Sequence, residues 1–186
     1  MGKYIRIIGT AIILAMAAMT PMSQHPAMAA SAAELNWEAA AALKLLYEGT
    51  PAAKELGVKA KGILVFPSIL KAGFIVGGQY GEGVLRKGGK TVGYYNTVAA
   101  SYGLQAGAQA FGYALMFMDD ASLKYLDKSD GWEIGTGPSV VIVDEGMAKA
   151  MTTTTLTKGV YAFFFSQKGL MAGLGLQGSK ISKINK

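Results

Sequence analysis

Residues 60–91 read AKGILVFPSILKAGFIVGGQYGEGVLRKGGKT, and the spacing of the glycines in this stretch decides the fold. Gly73, Gly77, Gly81 and Gly83 share one parity in a strongly apolar run, while Phe74, Val76, Tyr80 and Val84 share the other. A period of two is the strand period, because successive side chains point to opposite faces of a sheet. One face is therefore bulky and the other nearly bare. Glycine weakens a strand through lost backbone entropy, so a bare face implies that a second layer of backbone or another surface approaches it closely.

Outward from this stretch the strand pattern repeats. Ile63 to Phe66 reads as a short strand stopped by Pro67-Ser68, and Gly73 to Arg86 as a long one. Lys87-Gly88-Gly89-Lys90 supplies the glycines of a tight hairpin turn, which returns into a strand over Thr91 to Ala99. Further strands are expected over Tyr102 to Met118, Ser139 to Val143, Val160 to Ser166, and Gly169 to about Ile181 after a Gln167-Lys168 turn. Asp119 reads as the N-cap of a short helix through Leu126, and residues 145–155 as a surface loop. Gly-x-Gln-x-small recurs around Gln79, Gln105 and Gln177. Those amides either find partners inside a tightly layered sheet or form a polar strip that accepts a ligand head group.

Upstream, Ser31 and Glu34 have capping-box spacing, and Leu35, Ala39, Leu43 and Leu46 recur at helical intervals up to Gly49. Thr50 and Pro51 then start a second short helix, expected to end at Gly57. Ahead of these, Lys3 and Arg6 precede an apolar run from Ile7 to Met19, and Ala27-Met28-Ala29 supplies a small-x-small cleavage site. Residues 1–29 are thus expected to be a signal peptide, leaving residues 30–186 as one domain. Loss of Lys3 and Arg6 lowers the net charge from +6 to +4, which does not call for nucleic acid.

The chain has no cysteine, and its one histidine, His25, lies in the expected leader. A mature chain without either excludes thiol nucleophiles, histidine-based triads and ordinary zinc sites. No disulfide can staple it, and no cofactor or metal is expected. Residues 83–91, GVLRKGGKT, resemble a phosphate loop but carry Val84 where that loop needs glycine. Asp119, Asp120, Asp127, Asp130 and Glu133 lack the ligand spacing of a calcium loop. An enzyme would have to work with carboxylates or Ser68, and the expectation is a protein that is not an enzyme.

The basic residues form two groups in the sequence. Lys59, Lys61 and Lys71 flank the first strand, and Arg86, Lys87 and Lys90 crown the hairpin. Each cation held near an anionic bilayer contributes about 1 kcal/mol, so such groups suffice for salt-sensitive membrane attachment.

AKGILVFPSILKAGFIVGGQYGEGVL, GYYNTVAASYGLQAGAQ, ALMFMDD, SDGWEIG and SQKGLMAGLGLQGSKI, taken together, resemble the SYLF domain family of lipid-binding proteins, also named for a yeast actin regulator. The resemblance spans residues 33–184. It implies binding of phosphoinositides and, in fungal members, of actin filaments, with the lipid contacts on basic residues matching Lys59, Lys61 and Lys71. An exported chain does not meet actin. The fold expected is α+β, with two N-terminal helices on a twisted, glycine-rich, largely antiparallel sheet or small barrel.

The function expected is anionic phospholipid binding in a cell envelope, periplasmic or secreted, with peripheral membrane association. The competing expectation is an envelope scaffold whose glycine-lined sheet face docks a protein partner.

Overall fold

The computed structural model describes residues 30–128, 130–143, 159–169, 176 and 178–186, the side chains at 74, 75 and 101–106 excepted. Two helices, α1 (Ala32–Gly49) and α2 (Pro51–Lys59), precede two long strands, β1 (Gly62–Lys87) and β2 (Lys90–Phe117). A short helix α3 (Asp120–Leu123), continued by a 3-10 turn over Lys124–Asp127, leads to β3 (Trp132–Glu133) and β4 (Val140–Val143). The chain returns as β5 (Val160–Gly169) and β6 (Lys180–Ile184). The α+β expectation holds: the sheet runs β3-β6-β2-β5-β4 with β1 on the other edge of β2, and every pairing is antiparallel except β4 with β5.

The hairpin β1–β2 is bent double. The N-terminal half of β1 pairs with the C-terminal half of β2, from Gly62↔Phe117 to Gly73↔Gly107, and the other halves pair from Ile75↔Gly103 to Lys87↔Lys90. A Cβ on Gly81 would lie 2.6 Å from Ile69 Cγ1 and 2.8 Å from the Ser68 carbonyl oxygen; one on Gly83 would lie 2.6 Å from Phe66 Cδ1 and 2.7 Å from the Val65 carbonyl oxygen. The two limbs of a single strand thus press face to face, and the bare glycine face is the seam between them. β6 joins the lower limb of β2 at Tyr94–Val98 and β5 the upper limb at Gln109–Phe117, so the sheet curls into a half-barrel.

Two cores follow from strand alternation. Leu64, Phe66, Tyr113, Leu115, Phe117 and Ala162 point between the limbs, where they meet Leu85, Tyr95, Trp132 and Ile181. Ile63, Val65, Ala114, Met116, Tyr161 and Phe163 point the other way, under Leu35, Ala39, Leu43 and Leu46 of α1 and Ala53 and Leu56 of α2. Each leucine of the α1 stripe contributes roughly 2 kcal/mol by leaving water. Ser31 Oγ accepts from the Glu34 N–H, as the capping spacing requires. Asn36 locks α1 onto β2 by donating to Tyr94 OH (2.9 Å) and accepting from Thr91 Oγ1 (2.7 Å).

Several expected boundaries move. Pro67-Ser68 does not stop β1 but forms a bulge, because the pairing slips between Phe66↔Tyr113 and Ile69↔Phe111 and leaves Pro67 out of the ladder, where its missing N–H costs nothing. Ala99 and Tyr102 belong to one strand. Gly57 does not end α2: a side chain there would strike the Tyr47 hydroxyl, so the glycine accommodates a ring packed on the helix. Gln167-Lys168 is not a turn, since β5 runs on to Gly169; Ser166, with φ of 53°, takes up an extra residue opposite Phe111. The expected loop at 145–155 and most of the expected last strand lie outside the described residues, and the strand that is described starts at Lys180. Among the described residues no helix is long and apolar enough to cross a membrane.

Candidate functional site

The groove that α1 and α2 form with the hairpin turn is the candidate site, with a volume of about 900 Å³. It exists because three short-range features coincide. Pro51 opens α2 directly after α1 ends, so the helices fold back on one another. Gly57 lets the Tyr47 ring lie between them. Gly88 and Gly89, with φ of 56° and 80°, make the two-residue turn that brings Arg86 back over the helices. The floor is apolar, from Leu43, Ile63 and Ala60, and Ala40 and Val58 stand at its edge.

Its charge is predominantly positive. Lys44, Lys54 and Arg86 line it, with Glu48 as the one carboxylate among the lining residues. Lys44 and Glu48 form an exposed pair at 3.8 Å, one helical turn apart, worth a few tenths of a kcal/mol. Arg86 Nη2 donates to the Gly89 carbonyl at 2.8 Å, which holds the guanidinium over the turn and beside Tyr47. Burial pushes the Tyr47 hydroxyl above its ordinary pKa, and the Arg86 charge partly pulls it back. Tyr47 therefore stays protonated at neutral pH and can donate a hydrogen bond.

The six sequence-predicted basic residues separate by position. Lys59 ends α2, Lys61 follows it with its N–H on the Phe117 carbonyl at 2.8 Å, and Lys87 pairs with Lys90 across the turn; with Arg86 these five gather at the groove end of the domain. Lys71 does not join them. It pairs with Gln109 near the bend, ten residues along β1 from Lys61, which at about 3.3 Å per residue puts it roughly 30 Å away. Sequence reasoning missed Lys44 and Lys54 as groove residues, because their relation to Arg86 depends on how the helices fold back. The acidic cluster is structural where it is best defined: Asp119 accepts from the Ser122 and Gly159 N–H groups at 2.7 and 2.8 Å, tying α3 to the start of β5. Among the described residues no group of acidic or histidine side chains is arranged to hold a metal.

A comparison with curated proteins gave no match. Residues 98–186, which begin within β2 and run past β6, match the Ysc84 family model, described as Las17-binding protein actin regulator, and this supports the similarity to the SYLF family.

Proposed function

We propose that this protein binds anionic phospholipid at the groove between α1, α2 and the β1–β2 turn, as a non-enzymatic, exported envelope protein. The observation that carries the reading is the convergence of Lys44, Lys54 and Arg86 on a groove with an apolar floor, a combination that suits a head group with its adjoining glycerol and chain. The matched family adds support for a lipid-binding or actin-regulator-like role. Export, expected from residues 1–29, would separate the chain from actin. The glycine face favours the lipid reading over the scaffold, because at Gly81 and Gly83 it is already occupied by the chain's own backbone.

Lys59, Lys61, Lys87 and Lys90 lie at the same end of the domain as the groove and add attraction without needing fixed geometry. At about 1 kcal/mol per cation near an anionic surface, removing three charges weakens attachment by roughly two orders of magnitude. The test is cosedimentation with phosphatidylglycerol or cardiolipin vesicles against phosphatidylcholine vesicles. Binding should require the anionic lipid, fall with added salt, and be lost in Arg86→Glu/Lys87→Glu/Lys90→Glu and in Lys54→Glu. Binding indifferent to salt and to these substitutions would remove the electrostatic basis of the proposal.

A further inference from the structure

The polar residues inside the bend are not absorbed by the groove, which lies at the other end of the domain. Stepping two residues along each limb from the Gly81–Ile69 contact brings Lys71 opposite Gln79. Lys71 shares its face of β1 with buried Ile69, since Leu70 and Ala72 between and beyond them are exposed, and it pairs with Gln109, which is 1% exposed. Across the interior, Gln79 Nε2 donates to Ser179 Oγ at 3.1 Å. Tyr113 OH donates to Thr97 Oγ1 at 3.1 Å one level down, closing the floor of this polar layer. Gln79, Thr97, Gln109, Tyr113 and Ser179 therefore turn their polar ends into one part of the half-barrel.

Within that layer Gln109 stands apart. Among the described residues its Nε2 and its Oε1 are both buried without a hydrogen-bond partner, whereas Asn96 and Trp132, also incompletely satisfied, each leave a single atom. Native interiors rarely leave a whole amide unanswered, and a leucine would fill the same volume without the penalty.

We infer that the interior of the bend is a second binding site, for a small hydroxyl-bearing ligand held by the Gln109 amide. The amide presents an acceptor and two donors, so its guest must donate and accept at once. A hydroxyl does both; an anion without one would face Oε1 with no proton to offer. Gln79 and Ser179 supply the opposite wall, with hydrogen-bonding groups and no carboxylate among them, so neither a neutral nor a negatively charged hydroxyl compound is repelled. A glycerol phosphate unit has this chemistry, whether free in solution or as a lipid head group.

The experiment follows the Gln109 side-chain amide signals by proton–nitrogen correlation spectroscopy, assigned by their loss in Gln109→Leu. The full mature chain is titrated with sn-glycerol 3-phosphate and, separately, with dihexanoyl phosphatidylglycerol below its micelle concentration; sulfate is the control anion without a hydroxyl. A saturable shift with either glycerol compound, at least tenfold weaker binding in Gln109→Leu and in Ser179→Ala, and a Gln109→Leu melting temperature equal to or above that of the native chain are expected. Response to the first compound identifies a free metabolite, and response to the second alone identifies a head group. No saturable shift, an equal shift with sulfate, or undiminished affinity in Ser179→Ala overturns the inference. Lys54→Glu and Arg86→Glu should leave this titration unchanged, which keeps its outcome separate from that of the groove.

Discussion

Lys186 Nζ and Glu82 Oε2 meet at 2.5 Å, with only 8% and 11% of their side chains exposed. The terminal residue as a whole is exposed through its backbone, but its ammonium is enclosed and also donates to the Ala30 carbonyl. Glu82 Oε1 accepts from Tyr80 OH at 2.9 Å, so the carboxylate is bonded through both oxygens. One side chain thus joins Ala30, ahead of α1, to Glu82 in the C-terminal limb of β1 and to the residues that follow β6. Removing one member of an enclosed pair leaves the other charge uncompensated. Lys186→Met should cost about 3 kcal/mol in urea denaturation, and adding Glu82→Met should recover part of that loss.

The seam between the limbs of β1 makes opposite predictions for Gly83, which lies on it, and Gly78, five residues away on the other face of the strand. Gly83→Ala would drive a methyl group into Phe66 and the Val65 carbonyl, and backbone cannot yield as a flexible side-chain end can. It should destabilise by about 2 kcal/mol, within the range for overpacked cores. Gly78 has only the Ala99 carbonyl oxygen within reach, at 3.8 Å. Gly78→Ala should be neutral or stabilise by about 0.5 kcal/mol through the unfolded chain. Thermal melts of the two variants side by side check that the tight packing belongs to the face of Gly81 and Gly83 and not to the opposite face of β1, where Gly78 lies.

That contrast also shows where sequence reading stops. Alternating glycines announced a close second layer, and Gly81 and Gly83 have one, but nothing in the alternation told that the layer is the same strand folded back. Pro67-Ser68 has the sequence pattern of a strand end although it forms a bulge, because proline disrupts a ladder whether the strand stops or slips by one residue. The caps at Ser31 and Asp119 were legible because the partner N–H lies three residues away. The groove end was legible in Arg86, Lys87 and Lys90, which one local turn gathers, and in Lys59 and Lys61, which stand where α2 gives way to β1. Lys44 and Lys54 reach it through the path of two helices, and Lys71 leaves the basic group because β1 carries it to the far end.

Asp119 should give the fold an acid-sensitive joint. Hydrogen bonds from the Ser122 and Gly159 backbone lower its pKa below the ordinary 3.8, outweighing partial burial. A carboxyl with a depressed folded pKa contributes stability above its unfolded value and loses it as pH falls through the folded value. Asp119→Ala should therefore cost about 1 kcal/mol at neutral pH, as cap removal does, and progressively less as pH drops below 3.8. Urea midpoints of both proteins across pH 2 to 7 should converge at the acid end.

At alkaline pH the sensitive group is Tyr113, wholly buried and hydrogen-bonded to Thr97. Burial raises its pKa well above 10.0, and the Thr97 hydroxyl offsets little of that. The unfolded chain ionises near 10 while the folded chain does not, so stability is complete below that pH and declines as pH rises beyond it. Tyr113→Phe should cost about 1 kcal/mol at neutral pH by leaving Thr97 short of a partner, and should flatten the alkaline decline measured by urea titration between pH 9 and 12.

Charge reversal alone does not separate a groove that encloses its ligand from a surface that merely attracts one, since both lose affinity with each cation. Ala40 supplies the distinction: it lines the groove, is exposed, and carries no charge. Ala40→Trp would place a large ring over Leu43 and Ile63 while Lys44, Lys54 and Arg86 keep their positions. The helix loses only about 0.5 kcal/mol from the poorer propensity of tryptophan. If a lipid chain or glycerol enters the groove, affinity for phosphatidylglycerol vesicles should fall at least fivefold while the salt dependence keeps its slope. If attraction is diffuse, tryptophan should leave binding intact or strengthen it, because an exposed ring partitions into the bilayer interface. The sign of the Ala40→Trp effect in cosedimentation thus tells whether the cations of α1, α2 and the turn frame a site or only a charged surface.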